Sequence, residues 1–279
     1  MQKFKIVADS SADIKVLDGC AFAAAPLKII TSEKEYRDDA LLDVAQMVED
    51  LSAYKGKSHT SCPNTEDWLR AFEDAEYIFV VTITSHLSGS FNTASTAKDL
   101  YCSMYPERKV FVIDSLSTGP EMCLIIEKIA DFIAQGLFFE QICERITEYQ
   151  KRTALLFMLK SVKNLANNGR INPLVAKVVG FLGIRIVGKA SNEGELQTLD
   201  KCRGEEKALD ALVARMKEMG YDGGRVLIAH CLNPSEAEKL KARLQKKMGD
   251  IPVSIYACGG LCSFYAEKGG LLIGFERNI

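Results

Sequence analysis

Tyr77-Ile78-Phe79-Val80-Val81-Thr82-Ile83-Thr84-Ser85-His86-Leu87-Ser88-Gly89-Ser90 is the stretch on which the fold turns. Its first half is an apolar, β-branched run of the kind that forms a buried strand. The run gives way at once to hydroxyls and a glycine, and then to Phe91-Asn92-Thr93-Ala94-Ser95-Thr96-Ala97, whose small residues allow close helix packing. Strand, polar loop and helix in that order are the unit of a parallel sheet covered by helices.

Runs of the same kind recur at Phe4 to Ala8, Ala21 to Ile30, Lys109 to Ile113, Ala154 to Leu159, Ile184 to Val187, Val226 to Ala229, Val253 to Tyr256 and Leu271 to Phe275. Between them, Leu41, Leu42, Val44, Ala45, Val48 and Leu51 follow helical spacing, as do Leu124, Ile125, Ile129, Phe132 and Ile133, and then Ile142, Ile146 and Tyr149. Glu205 to Met219 and Ser235 to Lys247 read as charge-rich amphipathic helices lying on a sheet. The pattern predicts an α/β fold with a largely parallel sheet. No Gly/Ser or Pro-rich linker interrupts it, and two helices in succession before the next strand put the best boundary near Tyr149 to Thr153. Two domains are expected. Residues 1–152 form a mostly parallel sheet flanked by helices, and 153–279 a second α/β (α+β) unit.

The chain has 279 residues, 47% hydrophobic and 26% charged, which fits a globular protein with a core that needs no disulfide or metal. Thirty-five basic against 37 acidic side chains give a net charge of −2, so no basic field draws nucleic acid or anionic lipid. No apolar run approaches the roughly 20 residues that span a bilayer. The start, Met1-Gln2-Lys3-Phe4-Lys5, lacks the pattern of a secretory signal. Nine scattered cysteines suit reduced thiols in a cytoplasmic protein, and Cys258 and Cys262 have no second pair to complete a zinc site. No metal or cofactor is expected.

In open α/β sheets ligands bind beyond the C-terminal ends of the strands. The segments there are alike: Asp9-Ser10-Ser11, Thr84 to Ser90, and Asp114-Ser115-Leu116-Ser117-Thr118-Gly119. Ser58-His59-Thr60-Ser61-Cys62-Pro63-Asn64 is a fourth polar segment, expected to join two helices. Asn64, with Asp67 three residues on, and Ser88-Gly89-Ser90 both open helices, whose free N–H groups favour an anion. With the hydroxyls of Thr60, Ser61, Ser88 and Ser90 they make a neutral, donor-rich cradle suited to a carboxylate. Polyphosphate wants more cations than these segments hold. The same residue types also serve as ordinary caps and turns.

Other signals point elsewhere. Gly183 to Lys189 fits most of a phosphate-binding loop, but Ala190 stands where Ser or Thr is required and the interior is strand-like. A serine hydrolase using Ser88 with His86 or His59 is a rival reading, although no Gly-x-Ser-x-Gly elbow is present. Cys62 reads as a packed thiol rather than a nucleophile, Trp68 with Phe72 as core, and Lys239 to Lys247 as a solvated face.

Lys5 to Asp13, Thr60-Ser61-Cys62-Pro63-Asn64, Leu87-Ser88-Gly89-Ser90-Phe91 and Val112-Ile113-Asp114-Ser115 resemble, in order and spacing, the DegV family of bacterial fatty-acid-binding proteins. Gly169-Arg170-Ile171, Lys201-Cys202-Arg203-Gly204 and Gly269-Gly270 extend the likeness over nearly the whole chain. The resemblance implies a non-catalytic carrier holding one long-chain fatty acid, such as palmitate, between two domains. It would present the acid to a separate fatty acid kinase. It implies carboxylate contacts from Thr60, Ser61 and Ser88, supported by Gly89 and Ser90, with Arg170 and Arg203 near the headgroup or the kinase-docking face. Many members carry a histidine near the C-terminus. Here the stretch reads Ser263-Phe264-Tyr265-Ala266-Glu267, so Tyr265 is expected to donate in its place and Glu267 to point away. A regulatory module holding lipid as a filler is the remaining alternative.

Overall fold

The computed structural model describes residues 3–172 and 183–278. In chain order the first part contributes β1 (Phe4–Asp9), β2 (Ala21–Ala25), β3 (Lys28–Ile30), β4 (Glu35–Arg37), α1 (Val44–Ala53), β5 (His59–Ser61), α2 (Thr65–Phe72), β6 (Tyr77–Thr82), α3 (Ser90–Met104), β7 (Lys109–Asp114), α4 (Pro120–Ala134) and α5 (Phe139–Lys151). The rest contributes β8 (Thr153–Leu159), α6 (Lys163–Asn167), β9 (Ile184–Ala190), β10 (Leu196–Arg203), α7 (Glu205–Glu218), β11 (Val226–His230), α8 (Pro234–Met248), β12 (Val253–Ala257), α9 (Gly260–Ala266) and β13 (Leu271–Glu276).

The first sheet runs β2-β1-β6-β7 with every pair parallel. Side chains alternate along each strand, so both faces are apolar and both must be covered. Val7, Ile78 and Val80 pack under Trp68, Phe72 and Tyr101 of α2 and α3. Ile6, Ala8 and Phe79 pack under Met122, Ile125 and Ile142 of α4 and α5. The apolar run from Ala21 to Ile30 is two strands rather than one. Pro26 lies between them, and a proline has no N–H for the ladder. After that break β3 pairs antiparallel with β4 and β5 in a small separate sheet. The segment expected merely to join two helices therefore carries a strand, β5.

The second sheet runs β10-β9-β8-β13-β11-β12, and only β11 and β12 are parallel. The expected parallel order thus holds for the first half and gives way to an α+β arrangement in the second. Two features explain the change. β9 and β10 are a hairpin closed by a Ser191–Glu195 backbone pair, and β13 inserts antiparallel between β8 and β11. In the Gly183 to Lys189 segment, Ile184 to Lys189 lie in strand β9, not in a phosphate loop. One face of this sheet is covered by α7 and α8 through Leu209, Leu212, Leu240 and Leu244. The other face carries Leu155, Phe157, Leu159 and Leu272 and turns toward the first sheet.

Helix α4 lies between the sheets and packs on both. Its first turn comes so close to β13 that a Cβ at Gly274 would stand 2.5 Å from the Pro120 carbonyl carbon and 2.6 Å from the Glu121 nitrogen. Only glycine fits there.

Candidate functional site

Where the two sheets face each other, their elements enclose a cavity of about 670 Å³ of atom-free space, its open mouth included. β8 supplies one wall, because residues two apart share a face: Leu155, Phe157 and Leu159 all point inward. Leu27, Ile83, Leu196, Leu261 and Leu272 line other sides. The polar lining is small, consisting of Thr60, Ser88, Thr118, Arg170 and Tyr265.

Four of these five are residues singled out in the sequence. Thr60 comes from β5, Ser88 from the loop after β6, Arg170 from the segment after α6 and Tyr265 from α9. The Thr60 and Tyr265 hydroxyls are 2.8 Å apart. Burial pushes the Tyr265 phenol up from its ordinary value, against the pull of the Thr60 hydrogen bond and the Arg170 charge. It is therefore a neutral O–H donor at physiological pH. Arg170 donates through Nε to the Leu87 carbonyl at 3.2 Å and through Nη1 to the Asn168 carbonyl. It thereby ties the Ser88 loop to the second sheet's side of the cavity.

The other residues of the expected cradle stand outside the lining. Ser61 follows Thr60 on a strand, so it faces the opposite way, and its hydroxyl donates to the Cys62 carbonyl at 3.2 Å. Gly89 is the exposed residue just before α3. Ser90 is fully buried and donates to Asp9 at 2.5 Å. Arg203 is exposed at the end of β10. Asn64 closes its own helix start: its side chain accepts the Asp67 N–H while Asp67 accepts the Asn64 N–H, a capping box that uses up the donors. α3 begins after a glycine and has no such box, and its first N–H, that of Ser90, is accepted by the Ser88 hydroxyl at 3.3 Å. Glu267 turns away and accepts the Asn164 N–H at 3.1 Å.

Three carboxylates, those of buried Asp9 and Asp38 and half-buried Asp13, hold this arrangement, and sequence reasoning gave none of them that role. Asp9 accepts from the Ile83 N–H at 2.8 Å and from the Ser11 and Ser90 hydroxyls, joining the ends of β1, β6 and α3. Asp38 accepts the N–H groups of Gly260 at 2.7 Å and Leu261 at 2.9 Å, and Asp13 accepts that of Gly259 at 2.9 Å. Together they cap α9, the helix that carries Leu261, Cys262, Tyr265 and Ala266 into the cavity. A Cβ at Gly260 would lie 2.7 Å from the Asp38 carboxylate, so the approach requires glycine. Gly259-Gly260 is the one local hint of it in the sequence.

Burial, reinforced by the Asp38 charge, pushes the Asp13 carboxyl well above its ordinary value, while the Gly259 N–H opposes the shift. The folded state thus holds this proton more tightly than the unfolded chain. The group's stabilisation is full below the unfolded value and is lost as pH rises through the folded one. Keeping this carboxyl in the site therefore costs stability once the pH is above the unfolded value. Asp13→Asn keeps an acceptor for Gly259 without the charge, so it should raise the melting temperature at pH 7 and raise it less at pH 4. A thermal melt series across that range checks the sign.

The hydrolase arrangement is not assembled. Among the described residues neither His59 nor His86 hydrogen-bonds Ser88, whose Oγ accepts the Ser90 N–H at 3.3 Å. Burial pushes the Cys62 thiol up, away from nucleophilic character. Among the described residues no cluster of His, Cys, Asp or Glu has the makings of a metal site, and no helix is long and apolar enough to cross a membrane.

The family model described as DegV matches residues 3–278. A DegV domain-containing protein of Streptococcus pneumoniae is 46% identical over 277 residues, spanning 98% of this chain and 99% of the other. The crystal structure of a DegV family protein from Eubacterium eligens, loaded with heptadecanoic acid, matches with a TM-score of 0.97 at 43% identity. That match covers 99% of this chain and 100% of the other. The Fatty Acid Kinase (Fak) B3 protein of Streptococcus pneumoniae, loaded with linoleic acid, matches with a TM-score of 0.97 at 45% identity over 100% of both chains.

Proposed function

This chain belongs to the DegV family, whose members bind fatty acids, and from that premise we propose that it is a carrier for one long-chain fatty acid, presenting it to a separate fatty acid kinase. The observation that carries the reading is an apolar cavity with one polar end. The acid's carboxylate lies at the Thr60, Ser88, Arg170 and Tyr265 end, and its tail runs along Phe157 and the leucines. Each buried methylene contributes about 0.8 kcal/mol, so the tail supplies most of the affinity and the polar end sets orientation. Ser90 and Asp9 support Ser88 from below, and Gly89 lets the chain turn into α3.

In this reading residues 1–152 provide the headgroup loops and 153–279 cover the acyl chain. The exposed Arg203 belongs to the face the kinase meets. The name of the Streptococcus pneumoniae neighbour is the support for that partner. The carrier performs no chemistry on the acid and works in the cytoplasm, in keeping with nine free cysteines.

Native mass spectrometry of the purified protein, followed by solvent extraction, tests the reading. A stoichiometric long-chain acid is the expected result, and a protein that neither carries nor takes up such an acid would rule the carrier out. The double variant Thr60→Ala with Ser88→Ala should bind its acid about 5- to 150-fold more weakly, the equivalent of about 1–3 kcal/mol of hydrogen bonds to a charged group. Unchanged affinity in a displacement assay would remove the carboxylate from this end.

A further inference from the structure

Beside the cavity lies a second one of mixed character, where Asp114, Glu121, Lys189 and Arg277 stand among apolar residues such as Leu116 and Met219. One residue lines both cavities: Leu155 of β8. The neighbouring segments divide in the same place. Thr118 lines the first cavity and Ser115 and Leu116 the second, while Leu196 lines the first and Ser191 and Asn192 the second. The two spaces are therefore neighbours, and Leu155 borders both.

Nothing beside Leu155 reinforces it from β13. Its partner there is Gly274, which has no side chain and cannot acquire one, because the start of α4 occupies the space. The Leu155 side chain itself is 1% exposed and is held among the apolar residues of the cavity wall. Leu159, which faces the same cavity, is four residues along the same strand, about 13 Å away at 3.3 Å per residue. It lies toward the end where α6 leads on to Arg170.

We propose that Leu155 is the stop that sets the longest acyl chain this carrier accepts, an inference that rests on the carrier reading above. A tail that fits ends against the leucine side chain. A longer tail must displace it and push terminal carbons among carboxylates, amides and cations. There they strip water from charged groups that need it, and the contact offered by Leu116, Ala190 and Met219 is shared with those groups. Affinity should rise with chain length while carbons are added before the stop, then fall.

The experiment is competition binding on the delipidated full chain with lauric, myristic, palmitic, stearic, arachidic and behenic acids. Leu155→Ala removes three carbons of side chain and should move the preferred length up by about two to three carbons, with at least a tenfold gain for the longest acids relative to the shortest. Leu155→Phe fills the same position and should move the preference down. It keeps the test decisive should the alanine variant fold poorly. Leu159→Ala is the comparator: it empties space away from the stop, so affinity should drop at every length with the preferred length unmoved.

Unaltered length preference in both Leu155 variants overturns the proposal. So does a Leu159→Ala shift as large as that of Leu155→Ala, because the stop would then not be at Leu155. A wild-type chain that binds none of the six acids overturns the carrier reading itself, and that outcome is distinct from either of the others.

Discussion

Asp38→Ala should lower the unfolding free energy by about 3–5 kcal/mol and abolish tight acid binding, because it removes the acceptor for two amides at the start of α9. Asp38 is 5% exposed, so no water replaces its carboxylate freely. Hydrogen bonds to a charged group are worth about 1.5–3 kcal/mol each, and the Gly260 and Leu261 N–H groups would both be left buried and unpaired. Burial pushes the Asp38 carboxyl up from its ordinary value, so part of that gain already offsets the cost of burying the charge. Asp38→Asn retains one acceptor but turns an N–H₂ toward a donor, and should fall between wild type and alanine. Urea denaturation at pH 7 gives the stability, and displacement of a fluorescent acid gives the affinity. A variant with wild-type values for both would mean that α9 is held by something other than this cap.

The second large effect is at Asp9. Asp9→Ala leaves the Ile83 N–H and the Ser11 and Ser90 hydroxyls without their common acceptor, in a site that is 0% exposed. Unpaired buried donors cost about 1–3 kcal/mol each, and the burial that raises the Asp9 carboxyl above its ordinary value returns some of that on removal. The net loss should be about 2–4 kcal/mol. Its effect on binding follows a route different from that of Asp38. The Ser90 hydroxyl sits in the first turn of α3, two residues after Ser88, so loosening it frees the Ser88 loop while leaving α9 in place. Asp9→Asn should recover stability in part. If Asp9→Ala destabilises by less than about 0.5 kcal/mol, the loss expected of an ordinary surface position, this hub is decorative.

These two aspartates also show where the sequence ran out. Most strands were legible, since a buried strand in a two-sided sheet is a short apolar run whatever its neighbours, but β4 and the eight-residue β10, none of whose residues is buried, were not. Strand direction was not. β8, β9 and β13 look like parallel strands in composition and are antiparallel, because direction is set by how the chain returns, not by the strand residues. Two short elements were lost to the same cause. β5 is only His59–Ser61, with one inward side chain, and Pro26 divides a run whose hydrophobicity continues across it. At the site, Thr60 and Ser88 were read from a hydroxyl-rich cradle, Arg170 through the family resemblance and Tyr265 from a departure from it, and all four line one cavity. Asp38 sits in Arg37-Asp38-Asp39, which reads as a solvated charge cluster, and its partners are more than two hundred residues away. No local pattern reports such a pairing.

That separation has a consequence for how the molecule comes into being. The α9 cap joins Asp13 to Gly259, 246 residues apart, and Asp38 to Gly260, 222 apart. A ribosome delivers the chain from its N-terminal end, and early segments fold as they emerge. The first parallel sheet, its helices and the Ser88 loop can therefore assemble while the acid's tail has no wall to lie against. Asp13 and Asp38 wait without their amides until Gly259, Gly260 and Leu261 appear. A nascent chain that has not yet reached Gly259 and Gly260 therefore lacks the α9 wall, and the cavity can close only after they are made.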